Sequence, residues 1–183
     1  MHGTVSPAVR LEPFTGADFA RLISWVPANV ELVRWAGPIF DWPLDETQLE
    51  RYLSLAGEEP PKHLVYRALA PIDDGVVGHC ELAGIDRRNR SATLARVIVA
   101  PGARTRDYGR AMVGEALAVA FDDLRLHRVE LRVFDFNEPA LRCYESLGFV
   151  REGVLRHACL VDGAWWTTVC MSLLEDEWRA GLA

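Results

Sequence analysis

Three extended segments follow one another almost without a break in the middle of the chain: HLVYRALA (63–70), VVGHCELAGI (76–85) and SATLARVIVA (91–100). The pieces between them, PIDDG and DRRNR, are short and carry turn residues. Such a meander has to bury an apolar face, and the flanking segments supply what covers it. VRLEPF (9–14) alternates and reads as a first strand. A helix in TGADFARLISWV follows, with Thr15 as cap and Asp18 three residues on. The stretch 27–44, PANVELVRWAGPIFDWPL, has no clear period and reads as loop with one short helical turn. DETQLERYLSLAG predicts a helix with Asp45 as cap, Gln48 at the box position, Leu49, Tyr52 and Leu53 as its apolar stripe and Gly57 at its end.

After the meander come a basic loop, a helix over roughly 107–124, a strand in HRVELRVF (127–134) and a short helix in NEPALRCYESLG (137–148). Pro139 sits in the first turn of that helix, and Gly148 suits its C-terminal position. FVREGVLR and AWWTTVCMSLL close the pattern around a VDG turn. The order predicts a single α+β domain over 9–174, between an N-terminal tail (1–8) and a C-terminal tail (175–183). Its centre is one mixed, mostly antiparallel, twisted sheet of about seven strands flanked by about four helices.

Composition narrows the function. No apolar run in the 183 residues approaches the ~20 of a membrane-spanning helix, and MHGTVSPAVR lacks the apolar stretch of a signal peptide, so the expected location is the cytoplasm. A net charge of −6 argues against nucleic acid as the main partner. Residues 1–75 hold eleven acids against six bases, which would favour a cationic substrate if they line a site; a solvated acidic surface explains the excess equally well. Cys80, Cys143, Cys159 and Cys170 show no CxxC spacing, and the five histidines form no HxxxH or HExxH pair. Buried free thiols and no metal site are expected.

The segment ARTRDYGRAM (103–112) joins an apolar strand to a helix, an order that can build an anion cradle from backbone N–H groups at a helix N-terminus. Together with LRVFDFNEPALRCYESLGFVREGVLR it resembles the GNAT superfamily of acyl-CoA-dependent N-acetyltransferases. The longer stretch is close to the family's recurrent V…N..A...Y...GF...G..R form. DGAWWTTVCMSLL is similar to the closing hairpin of the ribosomal-protein N-terminal acetyltransferase (RimJ/RimL-type) branch. The resemblance covers about 76–174. It implies acetyl-CoA as acyl-donor substrate, no metal, and a primary amine as acceptor, either a peptide N-terminus or a small, cationic amine. It is also compatible with a homodimer.

In that family two core strands splay apart to admit the pantetheine arm. The resemblance places Val97, Ile98 and Val99 on the open edge, with Arg104, Thr105, Arg106, Asp107, Tyr108, Gly109 and Arg110 in the pyrophosphate loop. The family loop reads Q/R-x-x-G-x-G/A. Arg104 matches its first position and Gly109 its last, but Asp107 stands where the inner glycine is usual. The backbone donors survive this change if φ stays negative or if aspartate accepts the left-handed region, and the neighbouring arginines offset its charge. Alternatively, Asp107 simply caps the helix. Asn137 falls at the pantetheine asparagine, a position equally suited to a helix cap, and Ala140 lies on the face shared with Tyr144.

Tyr144 matches the tyrosine that in many family members points its hydroxyl at the CoA sulfur, which makes it the candidate for protonating the departing thiolate; an ordinary pKa near ~10 keeps it a donor, and a half-buried core tyrosine is the alternative reading. Glu81 is the first candidate for general base. A carboxylate among apolar neighbours is expected to have a raised pKa, unless it faces solvent. Glu31 and Asp86 are further candidates, and the reaction can run without a dedicated base. Trp35, with Glu31 nearby, is expected on the acceptor side; core packing is the commoner use of a tryptophan. A non-catalytic acyl-CoA-binding module is the alternative to an enzyme. No GxSxG elbow or Ser/His/Asp pattern supports a hydrolase.

Overall fold

Seven strands form one sheet in the computed structural model, which describes residues 8–71, 74–104 and 106–181. In chain order the elements are β1 (Arg10–Pro13), α1 (Phe19–Ser24), α2 (Asn29–Ala36), α3 (Glu46–Ser54), β2 (Leu64–Leu69), β3 (Val76–Asp86) and β4 (Ser91–Val99). They continue as α4 (Tyr108–Ala118), β5 (Arg128–Phe134), α5 (Glu138–Ser146), β6 (Val150–Val161), β7 (Ala164–Leu174) and α6 (Glu175–Gly181). The strand order is β1-β2-β3-β4-β5-β7-β6. Every neighbouring pair is antiparallel except β4 and β5.

Local chemistry sets the element boundaries where the sequence indicates them. Asp18 reaches back to the Thr15 N–H at 3.0 Å, and Asp45 accepts from the Gln48 N–H at 2.8 Å. The Gln48 side chain does not return to Asp45. It accepts from the Asp41 N–H and donates to the Asp41 and Pro43 carbonyls, binding the loop that precedes α3.

The structure has six α-helices among the described residues rather than about four, and both additions have a physical cause. α2 lies in the stretch read as loop. Pro27 and Pro38 bracket it and Gly37, at φ 67, ends it, while Leu32, Val33, Trp35 and Ala36 bury one face. The density of Pro and Trp hid that stripe. α6 lies in the stretch expected as a C-terminal tail. Its Trp178 stacks on the buried Phe121 at 5.9 Å.

The main core lies between the sheet and the helices. Leu82, Leu94, Val129, Met171 and Leu173 from the strands meet Met112, Val113, Ala116 and Leu117 of α4 and Leu22, Leu32 and Leu49 of the first three helices. Each large side chain buried in this way contributes about 1.5–3 kcal/mol. α4 seats closely on β3 because position 78 is glycine. A Cβ there would meet Met112 Sδ at 2.7 Å and the Ile98 carbonyl oxygen at 3.0 Å.

This contact generates a stability prediction. Met112 can swing aside but the Ile98 backbone cannot, so Gly78→Ala is expected to destabilise the protein by about 1–3 kcal/mol in urea unfolding. Unchanged stability would show that α4 tolerates a shift away from the sheet.

Candidate active site at the parting of two strands

β4 and β5 pair through only three residue couples, Ser91–Arg128, Ala92–Val129 and Thr93–Glu130. Beyond them β4 keeps its bonds to β3, and β5 stays in register with β7 as far as Phe134–Thr168. The two strands therefore part, and the β5-facing edge of residues 94–99 has no strand beside it among the described residues. Val97, Ile98 and Val99 lie on this stretch as expected, all half-buried. One extra residue on β4 accompanies the parting. His79 faces Ile98 and Glu81 faces Ala95, so β4 bulges between them, and Arg96 has φ 51.

The chain leaves the open end of β4 into the basic loop. Arg104 is extended and exposed, its Nε 3.4 Å from the Val99 carbonyl oxygen. Thr105 lies outside the described residues. Arg106 and Arg110 are exposed, and Tyr108 and Gly109 are half-buried. Asp107 adopts φ 60, ψ 10, the left-handed conformation that makes room for an aspartate in place of glycine. It occupies the N-cap position of α4, but its side chain makes no capping bond, which removes the simple-cap reading. Gly109 permits a close approach to the strand, since a Cβ there would lie 3.3 Å from Val99 Cγ2.

α5 begins at the open end of β5. Asn137 stands at its N-cap position, and its side chain makes no capping bond. Ala140 is half-buried, and Tyr144 is buried in the main core, edge-on to Phe149 at 5.8 Å. Burial pushes the Tyr144 hydroxyl well above the usual tyrosine range, with Cys143 and Cys80 adding to it, so it stays protonated at neutral pH. Burial likewise raises the Cys143 thiol to about 11, with Asp107 adding and Arg110 opposing, which places the start of α4 beside α5.

Glu81 lies elsewhere than the sequence suggests. It is fully buried, neither solvent-facing nor in an apolar setting. One carboxylate oxygen accepts from His63 Nδ1 at 2.6 Å, and the other accepts from the Tyr52 hydroxyl at 2.7 Å and from Arg96 Nε. Burial works to raise its pKa, but the bond and charge of Arg96, then the bonds of His63 and Tyr52, outweigh it and hold the carboxyl below its usual range. The expected raised pKa is thus corrected: the charged partners decide the sign.

Tyr52 gives its only proton to Glu81. Its 3.2 Å contact with His79 must then run from His79 Nε2–H to the tyrosine oxygen. His79 is neutral, its pKa lowered to about 3 by burial above all. Asp86 sits at the closed end of the parting strands, where its carboxylate accepts from the Arg88 and Asn89 N–H groups at 2.8 Å and staples the turn.

Trp35 is in the core, stacked on Phe40 at 5.7 Å, and its Nε1 donates to the Arg96 carbonyl at 2.8 Å. Glu31, one turn earlier on α2, is half-buried. α2 also meets the last hairpin. Asn29 donates to Asp162 at 2.7 Å, and Val30 and Val33 pack with Phe134, Cys159, Val161 and Trp166. Arg34 lies over the exposed Phe136 ring at 5.7 Å.

Residues 29–149 match the Acetyltransferase (GNAT) family. The chain belongs to that family. Among curated relatives it is 29% identical over 107 residues to a prophage-derived uncharacterized N-acetyltransferase of Bacillus subtilis, covering 58% of this chain and 60% of that protein. It is 31% identical over 103 residues to the spermidine N(1)-acetyltransferase of Vibrio cholerae, covering 56% and 59%. The matched part thus spans about three-fifths of these relatives' length. In fold it is similar to the crystal structure of a Vibrio cholerae spermidine N-acetyltransferase in complex with CoA and spermine, with a TM-score of 0.82, 22% identity and coverage of 93% of this chain and 98% of that one. No described helix is long and apolar enough to cross a membrane.

Within this GNAT chain, sequence reasoning missed Arg96, Tyr52, His63 and His79, because no spacing connects them. Strand register does: Val65 faces Glu81, which faces Ala95. An arginine inside the apolar run LARVIVA was the one available signal.

His79 generates a pH prediction. The unfolded chain protonates it below about 6.5, whereas the folded protein resists until about 3. The unfolded state binds more protons in that window, so stability falls as pH drops through it. His79 alone is expected to remove about 2 kcal/mol between pH 7 and pH 5. Urea unfolding of His79→Gln at both pH values should show that much less pH dependence than the parent. An identical fall in both proteins would mean that the imidazole titrates normally.

Proposed function

We propose that the protein is an acetyl-CoA-dependent N-acetyltransferase acting on a primary amine. The observation that carries this reading is the parting of β4 from β5 after three pairs, with the basic loop opening α4 at one lip and Asn137, at the start of α5, at the other. A pantetheine arm is a chain of amides and can add to the free edge of β4 as an extra strand would. The N–H groups at the start of α4, backed by Arg104, Arg106 and Arg110, suit the CoA pyrophosphate. Asn137, which does not cap its helix, is free to bind the arm.

The chemistry follows from that placement. The amine lone pair attacks the thioester carbonyl carbon, and backbone N–H groups of the 97–99 edge receive the charge that develops on the carbonyl oxygen. The carbon–sulfur bond then breaks, and the thiolate takes the Tyr144 proton. Glu81, engaged by three donors, does not accept the amine's proton, which leaves to water. Loss of the general-base role does not favour a non-catalytic binding module, because Tyr144 stays protonated at neutral pH and can still serve as the proposed donor.

The acceptor belongs to the cationic small amines or to peptide N-termini. The acid excess of residues 1–75 and the likeness to spermidine acetyltransferases support the first; the closing hairpin, similar to the RimJ/RimL-type branch, supports the second. A cytoplasmic location fits either. A homodimer belongs to the same reading, supported by an edge strand, β6, that leaves Val150, Val154, Leu155 and Leu160 on the surface. Thiol release from acetyl-CoA, measured with polyamines, amino acids and peptides with free N-termini, decides among acceptors. Tight CoA binding with no acetylation of any amine would favour the binding module.

Three variants check the parts. Arg104→Ala should weaken CoA in calorimetry, and the loss should shrink as salt is raised. Asp107→Gly should bind CoA as well or better, since a like charge leaves the loop and glycine accepts the same φ; weaker binding in a folded variant would reveal a positive role for the carboxylate. Tyr144→Phe keeps the ring and should lower kcat about 10²–10⁴-fold at unchanged acetyl-CoA affinity. Parental turnover, with chemistry rate-limiting, would assign the proton to water.

A further inference from the structure

We infer that Glu81 is a positioning residue: its ion pair with Arg96 sets the bend of β4 and so presents the Val97–Val99 edge to the pantetheine arm and thioester. The inference rests on the acetyl-CoA reading above. Arg96 belongs to the extra step that β4 makes relative to β3, and its backbone is left-handed at φ 51. Nothing local favours that conformation. Arginine lacks both the missing Cβ of glycine and the short, backbone-bonding side chain of asparagine or aspartate.

What holds Arg96 is tertiary. Its Nε pairs with Glu81, its guanidinium lies over the Tyr52 ring at 5.4 Å, and its carbonyl accepts from Trp35 Nε1 at 2.8 Å. Glu81 is itself fixed by Tyr52 at 2.7 Å and His63 at 2.6 Å. Three elements besides β4 thus meet one strained residue, α2 through Trp35, α3 through Tyr52 and β3 through Glu81, and the segment before β2 supports Glu81 through His63. Strained backbone that the surroundings over-determine marks functional positions.

Stability alone does not call for this pair. Burying two charges costs solvation, and well-packed apolar residues of similar volume often serve as well or better. The location is what distinguishes it. Before Arg96, β4 alternates between buried and half-buried residues; from Ala95 to Val99 every residue is half-buried, and β5 no longer runs alongside. The ion pair therefore sits in the bulge of β4, three residues beyond its last pair with the parallel neighbour.

The deciding variant is Glu81→Met with Arg96→Met, which removes both charges and roughly keeps volume; Tyr52 can turn its hydroxyl proton to His79 Nε2, 3.2 Å away, and the partly exposed His63 can turn to water. Its thermal midpoint should stay close to the parent's. Acetyl-CoA affinity in calorimetry should fall roughly 10–100-fold, the scale of a displaced binding edge. The 3′-phospho-ADP portion of CoA, which has no pantetheine arm, should bind as it does to the parent. Parental affinity for both ligands would overturn the inference, and so would an equal loss for both, which would mean a general disturbance of the site. Tyr52→Phe keeps both charges and the ring under Arg96. It carries the same comparison should the double variant not fold, with a loss of roughly two- to tenfold for acetyl-CoA alone and parental affinity again overturning the inference.

Glu81→Gln separates this role from that of a general base. A lost base lowers kcat at unchanged acetyl-CoA affinity, whereas a lost positioning contact weakens acetyl-CoA first. A kcat loss confined to the chemical step would return Glu81 to catalysis. Failure of the parent protein to acetylate any amine would overturn the proposed activity, while the comparison of the two ligands would still read the bulge directly.

Discussion

β4 must serve two neighbours that demand different paths. β3 bonds it along nearly its whole length, and β5 runs parallel to it for only three residue pairs. Had β4 stayed straight, nothing would stop the parallel ladder from closing toward Val99 and Phe134, and the sheet would have no gap. Two constraints prevent closure. β5 is held in unbroken register by β7, from Arg128–Leu174 to Phe134–Thr168. β4 takes one extra residue at Arg96, which bends it and increases its local twist. The sheet therefore behaves as two continuous halves, β1–β4 and β5–β7–β6, joined at a short seam. α4 and α5 start where the two strands have parted, which brings two helix N-termini to one opening.

The electrostatics of the two sides of that opening differ in kind. On the loop side the charges are exposed and screened by water, so each arginine contributes modestly and the backbone donors of α4 supply the geometry. Behind β4 the charges are buried. Glu81 has no exposed surface, and its three donors determine both its ionisation and its orientation.

Much of this was legible in the sequence, for identifiable reasons. Strands β2 to β5 alternate or run apolar between clear turn residues, so their existence and order could be read directly. α3 carries a capping Asp45 and a glycine beyond its end, and α5 a first-turn Pro139 and Gly148 at its end. α2 was not legible, because Pro27, Trp35, Pro38 and Trp42 crowd a stretch whose buried face spans only Leu32 to Ala36. The loop and Tyr144 could be proposed from the sequence because their motif is local in it. The Glu81 network could not, since Tyr52, His63, His79, Glu81 and Arg96 meet only once strand register is known. Reading Glu81 from its apolar neighbours in the chain gave the wrong direction of pKa shift for the same reason: the neighbours that matter come from other strands and helices.

Asp107 illustrates what a loop motif specifies. A glycine at this position can take a left-handed φ without steric cost. Asparagine and aspartate are the side chains that accept that region most readily, and here Asp107 sits at φ 60 and leaves the cap unmade. The left-handed conformation is therefore reached here without a glycine. The cost falls on charge rather than geometry, and Arg104, Arg106 and Arg110 stand within six residues to offset it. Arg96 presents the opposite case on the same strand–loop unit. Its side chain has no affinity for the left-handed region, so its conformation is imposed from outside by Glu81, Tyr52 and Trp35. One unusual backbone position is tolerated because of the residue placed there, the other because of the residues packed around it, and the free edge of β4 lies between the two.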